Sequence, residues 1–534
     1  MKRQDKPQLG RRRFLGLVGA SGLVAVTAGI AGCGNRAGGQ ALSGPGKVLA
    51  SKLPLPAKFE RPLTVPPVMK PVRKDQNADY YELVQRLGDI EVLPGRKTQV
   101  MGFDGRFPGP TFETRRNRRA VVRIANELPV PTSTHLHGGV TKPESDGYPT
   151  DLVVPKGYPV HELHGGHTEH MAKPEDYIFN QVSKVYDYDL PQRAATLWYH
   201  DHRMDFSGPQ VYYGLAGMFI VRDDEEDALP LPKGDKEIPL MICDRSFNED
   251  GSFNYPALDR RLKSLPGVED DYMDGVLGDV MLVNGTPWPT HDVANTRYRL
   301  RLLNACNARR LELALSPGPK EGAPFIQIGS DNGLLEKPQE MKTLPMSPAE
   351  RFDVIVDFSK FDIGTEVILT NLAGADSTEQ VMRFRVTRQE SDASSIPAKL
   401  SNFERLDRSQ AVATRSFDFR RGATNQDHDW TINGRGFQVS TYEAEPKVDT
   451  VELWKFTSDF HHPVHVHLGH FQVVSRNGGA PEPRDAGWKD TVDVRPYGVV
   501  EVLVKFTDFK GRYMIHCHNL EHEDMAMMVN FRTT

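Results

Sequence analysis

Ala120–Asn126 reads AVVRIAN, a run rich in β-branched residues, which is the composition a half-buried strand requires. Two runs of the same kind follow far downstream, Tyr298–Asn304 (YRLRLLN) and Thr450–Thr457 (TVELWKFT). Each is preceded by a dipeptide suited to a tight turn: Asp104-Gly105, Asn284-Gly285 and Asn433-Gly434, with an apolar residue or two before it. Each copy also closes on a strand-like run, at Gly217–Arg222, Met382–Val386 and Met527–Phe531. One such match is within reach of chance; three in the same order make an internal repeat. Pro-rich Ala228–Lys236 and polar Arg388–Gln410 separate the copies and read as linkers. The pattern predicts an all-β chain of three antiparallel β-sandwich domains, residues 60–226, 237–388 and 411–534.

Size and composition agree. At 534 residues the chain exceeds what one core supports, and two to four domains are expected. Hydrophobic residues make up 38% and charged residues 26%, ordinary for a soluble globular protein. A net charge of −5 argues against a general nucleic-acid binder. With 46 Gly and 39 Pro and little helical periodicity, short strands joined by turns are favoured.

Residues 1–33 read as an address. Arg11-Arg12-Arg13-Phe14-Leu15 precedes a Gly- and Ala-rich apolar run from Leu17 to Ile30, resembling a twin-arginine export signal. Ile30-Ala31-Gly32-Cys33 resembles a lipobox, with Cys33 as the lipid-modified terminus and residues 34–59 as a tether. An ordinary cleaved signal and an uncleaved anchor are the plainer alternatives. The expectation is a cell-envelope or periplasmic protein that meets the membrane only through that lipid. Cys243 and Cys306 form either a disulfide or two buried free thiols.

Ten of the 18 histidines fall into four clusters: His135 and His137; His200 and His202; His462, His465 and His467; His516, His518 and His522. Residues i and i+2 of a strand share a face, so a His-x-His pair presents two imidazoles side by side. A single pair is often two satisfied surface histidines; four pairs argue for metal. Cys517 lies between His516 and His518, with its thiolate on the opposite face. A thiolate with two imidazoles and a long thioether bond is the blue-copper arrangement, and His462, His522 and Met527 can complete it. Structural zinc sites usually gather CxxC pairs, and none is present.

The segment HCHNLEHEDMAMM (His516–Met528) resembles the C-terminal signature of multicopper oxidases. THLHGG, WYHDH and HPVHVH are similar to the other three family motifs in their usual order, and PGPTFE and YGLAGMFIVRD to framework segments. The nearest likeness is to spore-coat laccases and bilirubin oxidases. The resemblance implies cupredoxin-like Greek-key domains and about four copper ions. It places a type 1 copper on His462, Cys517, His522 and Met527, and a type 2 copper on His135 and His465. The type 3 pair falls to His137, His200, His202, His467, His516 and His518, and proton delivery to Asp146 and Glu523. It puts the multicopper site between the first and third domains and leaves the central one as spacer and substrate wall.

The activity implied is one-electron oxidation of phenols, aromatic amines or tetrapyrroles coupled to reduction of dioxygen. A metallo-oxidase acting on Cu(I), Fe(II) or Mn(II) is the alternative. A copper-storage or electron-transfer protein would need no paired His-x-His clusters. His161, His164, His167 and His170 read as a solvated loop with loose metal affinity. His461 and His470 match no ligand position, and Met525 and Met528 read as apolar strand residues. Cys517→Ser is expected to abolish the blue absorption and oxygen uptake together, measured on one preparation.

Overall fold

The computed structural model describes residues 46–160, 172–422 and 430–534. The export signal, Cys33, the tether up to residue 45 and the His161–His170 loop lie outside the described residues.

Three pairs of sheets follow one another along the chain; the apolar side chains of the first two form one continuous cluster, and the third closes over another. The first joins a five-stranded sheet around Ala78–Ile90 and Arg119–Asn126 to a four-stranded sheet holding Thr134–His137, Ala195–Asp201 and Ala216–Arg222. The central pair has seven strands, including Glu237–Arg245, Arg297–Asn304 and Arg351–Asp357, against five that include Leu311–Ser316 and Gln380–Arg388. The third sets five strands around Ala411–Arg421 and Thr450–Ser458 against five that include His462–Val466, Gly511–Cys517 and Met528–Thr533.

The three predicted turn dipeptides carry the internal repeat. Asp104, Asn284 and Asn433 have φ of 55°, 50° and 54°, and the glycines that follow have 68°, 77° and 74°. Two successive positive φ values define the tight hairpin turn that matches strand twist, and Asn-Gly or Asp-Gly enters it at least cost. All three strand-like runs lie within strands; the first two closing runs lie in Ala216–Arg222 and Gln380–Arg388, and the third in Met528–Thr533 except for Met527, which precedes it.

The sheets are mixed rather than antiparallel, which corrects the sequence reading. In each copy an early strand, ahead of the turn, pairs in parallel with the strand that carries the strand-like run: Ala78 with Arg119, Glu237 with Arg299, Ala411 with Val451. The closing strand of each copy also gains a parallel neighbour. Residue alternation tells which face of a strand is buried, not the direction of its partner.

Neighbouring strands bring the histidine motifs together. His135 stands opposite His200 across one antiparallel pair, and His465 opposite His516 across another. In the central pair of sheets Leu313 and Asn371 stand opposite one another on the strands in the matching places, so no such cluster forms there. Cys243 and Cys306 are free and buried.

Two of the turn glycines differ in surroundings. A Cβ on Gly434 would meet nothing within 4 Å, whereas one on Gly285 would lie 2.5 Å from the Phe107 carbonyl oxygen. Gly434→Ala is expected to cost only the left-handed backbone term, about 1–2 kcal/mol. Gly285→Ala should lower the thermal midpoint further, as scanning calorimetry of the two variants would show.

Candidate metal centre

The strands deliver buried imidazoles into three adjoining groups. His137, His200 and His518 bring ligand atoms within 4.8 Å of one another, as do His202, His467 and His516. His135 and His465 form the third group, with His137 inside the same distance. Each group combines side chains from the first and third pairs of sheets, so the centre lies where those two meet.

Hydrogen bonds decide which nitrogen of each ring is free. His135 donates Nδ1–H to the Asp146 carbonyl at 2.6 Å, and His465 donates Nδ1–H to the Asp490 carbonyl at 2.9 Å. Their Nε2 atoms then face each other at 3.4 Å. Burial above all, with the neighbouring imidazoles adding to it, holds both rings well below the ordinary histidine pKa, so both are neutral. Two bare lone pairs opposed in a dry site repel, and a cation between them turns the repulsion into ligation.

The same logic runs through the other groups. His516 gives Nδ1–H to the Cys517 carbonyl at 3.2 Å, and its Nε2 lies 3.2 Å from His467 Nε2 and 3.3 Å from His202 Nε2. His467 donates its Nδ1–H to Asp146 Oδ2 at 2.7 Å. His200 donates Nδ1–H to the Asp201 carbonyl at 2.9 Å, leaving Nε2 buried without a partner. His137 is reversed: Nε2–H points to Asp490 Oδ1 at 3.0 Å, and Nδ1 is the buried orphan. Both nitrogens of His518 lack a partner. These convergent, buried nitrogens fit a metal ion.

A second, separate cluster joins Cys517 to His462 and His522. Cys517 Sγ lies 3.4 Å from His462 Nδ1 and 3.6 Å from His522 Nδ1, and the two Nδ1 atoms are 3.2 Å apart. Burial pushes the thiol well above its ordinary value, so a thiolate at this place requires a cation beside it. Met527 is fully buried and fixed next to the cluster by its backbone: its N–H donates to the His522 carbonyl and its carbonyl accepts from Cys517 N–H, both at 3.1 Å. Trp430 stacks on His522, ring centroids 3.6 Å apart.

Soft sulfur with imidazole in one cluster, and imidazole alone in the other, is a donor set for copper. Two profiles of the family described as Multicopper oxidase match residues 410–534, and 86–162 with 160–226. The chain is 33% identical to a laccase of Bacillus subtilis (strain 168), covering 88% of this chain and 97% of that one. It is 34% identical to a bilirubin oxidase of Albifimbria verrucaria, over 89% and 81% of the two chains. Among solved structures, a laccase from Pediococcus acidilactici superposes with a TM-score of 0.76 at 30% identity, covering 91% and 96%.

The chain belongs to the multicopper oxidase family.

In this multicopper oxidase the two carboxylates picked out from sequence both reach the imidazole groups. Asp146 holds His467 through Oδ2 and His135 through its carbonyl, and burial pushes its carboxyl up to about 7. Glu523 Oε2 lies 3.1 Å from His516 Nδ1, and Oε1 lies 3.5 Å from His202 Nδ1. Glu523 is fully buried between those two rings. His470 donates to the Gly138 carbonyl at 3.0 Å, and His461 enters none of the described clusters.

Other groups at the oxidase centre were not found by sequence reasoning. Asp490 and Thr491 both lie 3.0 Å from His137 Nε2. Behind them Arg351, Asp331 and Glu350 come from the central pair of sheets and meet Lys489 and Asp490 in a fully buried cluster of charges. The central unit is therefore no mere spacer: it reaches to within one residue of a metal-facing histidine. Nothing local marks these residues, because Arg351 and Asp490 are 139 positions apart, one opening the strand Arg351–Asp357 and the other lying just ahead of Thr491–Val494.

Proposed function

We propose that this multicopper oxidase takes single electrons from phenolic, aromatic amine or tetrapyrrole donors and spends them on reducing dioxygen to water, with about four copper ions per chain. The observation that carries the reading is the position of Cys517. The residues on either side of it, His516 and His518, belong to two different three-imidazole groups, while its own sulfur belongs to the thiolate cluster. One short stretch of backbone therefore connects the sulfur cluster to both groups.

On this reading His462, Cys517, His522 and Met527 would hold a type 1 ion, His135 and His465 a type 2 ion, and the two triads the type 3 pair, and the grouping of their ligand atoms supports it. Copper bound there supplies reversible one-electron chemistry, so that successive single electrons can be gathered before dioxygen is reduced. The chain's part is to keep the nitrogens bare, exclude water and supply protons. Asp146, buried and with its carboxyl pushed up to about 7, can hold a proton on Oδ1, while Oδ2 accepts from His467, and release it near neutral pH. Glu523, 3.1 Å from His516 Nδ1, places a second carboxyl on the other side.

Similarity to a laccase and a bilirubin oxidase supports organic donors over metal ions. The twin-arginine-like and lipobox-like segments support delivery to the cell envelope with a lipid on Cys33. Steady-state turnover of a phenol, an aromatic amine and bilirubin, set against Cu(I), Fe(II) and Mn(II), tests the donor class. Faster turnover of the metal ions than of every organic donor would overturn the reading.

Asp146→Asn and Glu523→Gln keep shape but remove a titratable oxygen. Each is expected to slow reoxidation by dioxygen about 10²–10⁴-fold. Reduction of the thiolate cluster by the donor should keep its wild-type rate, so stopped-flow bleaching and recovery of the visible band separate the two half-reactions.

A further inference from the structure

Arg351 is fully buried on the strand Arg351–Asp357, and each of its five N–H bonds has an acceptor. Nε donates to the Thr196 carbonyl at 2.9 Å, Nη1 to the Ala349 carbonyl at 2.9 Å and to Asp490 Oδ1 at 2.7 Å. Nη2 donates to the Asp331 carbonyl at 3.1 Å and to Asp490 Oδ2. With five planar donors and five acceptors the guanidinium has one pose. Its fork takes both oxygens of Asp490, so that carboxylate cannot turn about its own bond.

The held carboxylate in turn decides how one ring stands. Asp490 Oδ1 accepts from His137 Nε2 at 3.0 Å and from the Thr491 hydroxyl at 2.9 Å. With Nε2 so engaged, Nδ1 is the nitrogen left buried and without a partner, on a ring grouped with His200 and His518. Where a nitrogen's partner lies thus determines which nitrogen is offered to metal.

We infer that Arg351, contributed by the central pair of sheets, is a positioning residue for the copper held by His137, His200 and His518. It acts through Asp490, clamping the carboxylate in the plane that presents Nδ1 of His137. The inference rests on the reading that these three imidazoles hold one ion of a coupled pair. A lysine in place of Arg351 would supply charge at one point and no fork. Charge alone is then not enough: Arg351→Lys should resemble Arg351→Met rather than the parent.

The experiment uses the full copper-loaded chain with Arg351→Met, Arg351→Lys and Asp490→Asn, read by copper content after dialysis, the visible band and electron paramagnetic resonance. The variants are expected to release copper from the His137 position about 10–100-fold more readily. The remaining partner ion then becomes visible to resonance, because a coupled pair is silent and a lone ion is not. The visible band of the Cys517 cluster should be unchanged, which a general loss of packing would not allow. If Arg351→Met does not accumulate, Arg351→Lys and Asp490→Asn carry the same readouts. Full copper with a still-silent pair in the variants that accumulate would overturn the inference while leaving the proposed function intact. A parent protein without a silent pair would instead sink the assignment of the imidazole groups themselves, and the inference with it.

Discussion

Neutral imidazoles facing one another with bare nitrogens are the constraint on which the rest of this molecule depends. Three of the rings show how they are turned by a hydrogen bond on the far side: His135 and His465 by carbonyls, His467 by a carboxylate. Remove those acceptors and the rings are free to pair with each other by hydrogen bonds, which would close the centre to metal. The surrounding sheets are needed to hold the acceptors still. Backbone carbonyls of a strand or tight loop do this better than side chains, since they have no rotamers to lose.

Much of this was legible in the sequence, and the reasons are local. An Asn-Gly or Asp-Gly turn needs two positive φ values, and Asn284-Gly285 has them wherever the rest of the chain goes. A His-x-His pair on a strand puts two rings on one face, so the four clusters could be read as metal-facing without coordinates. Pairing direction was not legible, because Ala78–Ile90 shows the same alternation whether its neighbour Arg119–Asn126 runs with it or against it. Nor was the Arg351–Asp490 contact, which exists only because three pairs of sheets converge on one point. His137 shows the limit most clearly. Its motif announced a ligand, but which nitrogen it offers depends on a carboxylate 353 positions away.

The charged cluster behind His137 is expensive to bury. Asp331, Glu350, Arg351, Lys489 and Asp490 are all essentially shielded from water, and such groups repay their desolvation only when geometry is close to ideal. Five satisfied donors on Arg351 meet that condition. An apolar cluster of the same size would be as stable or more so, but it would not fix the direction of a carboxylate. Specificity of orientation, rather than stability, is what this cluster contributes.

His202 and His516 meet through Nε2 atoms although 314 positions separate them in the chain. During synthesis the early imidazoles therefore wait, complete in themselves but with no counterpart, until the late segment has been made and folded against them. Neither triad nor the thiolate cluster exists in a prematurely ended product. The complete ligand groups thus come together only in a polypeptide that has already reached its native shape.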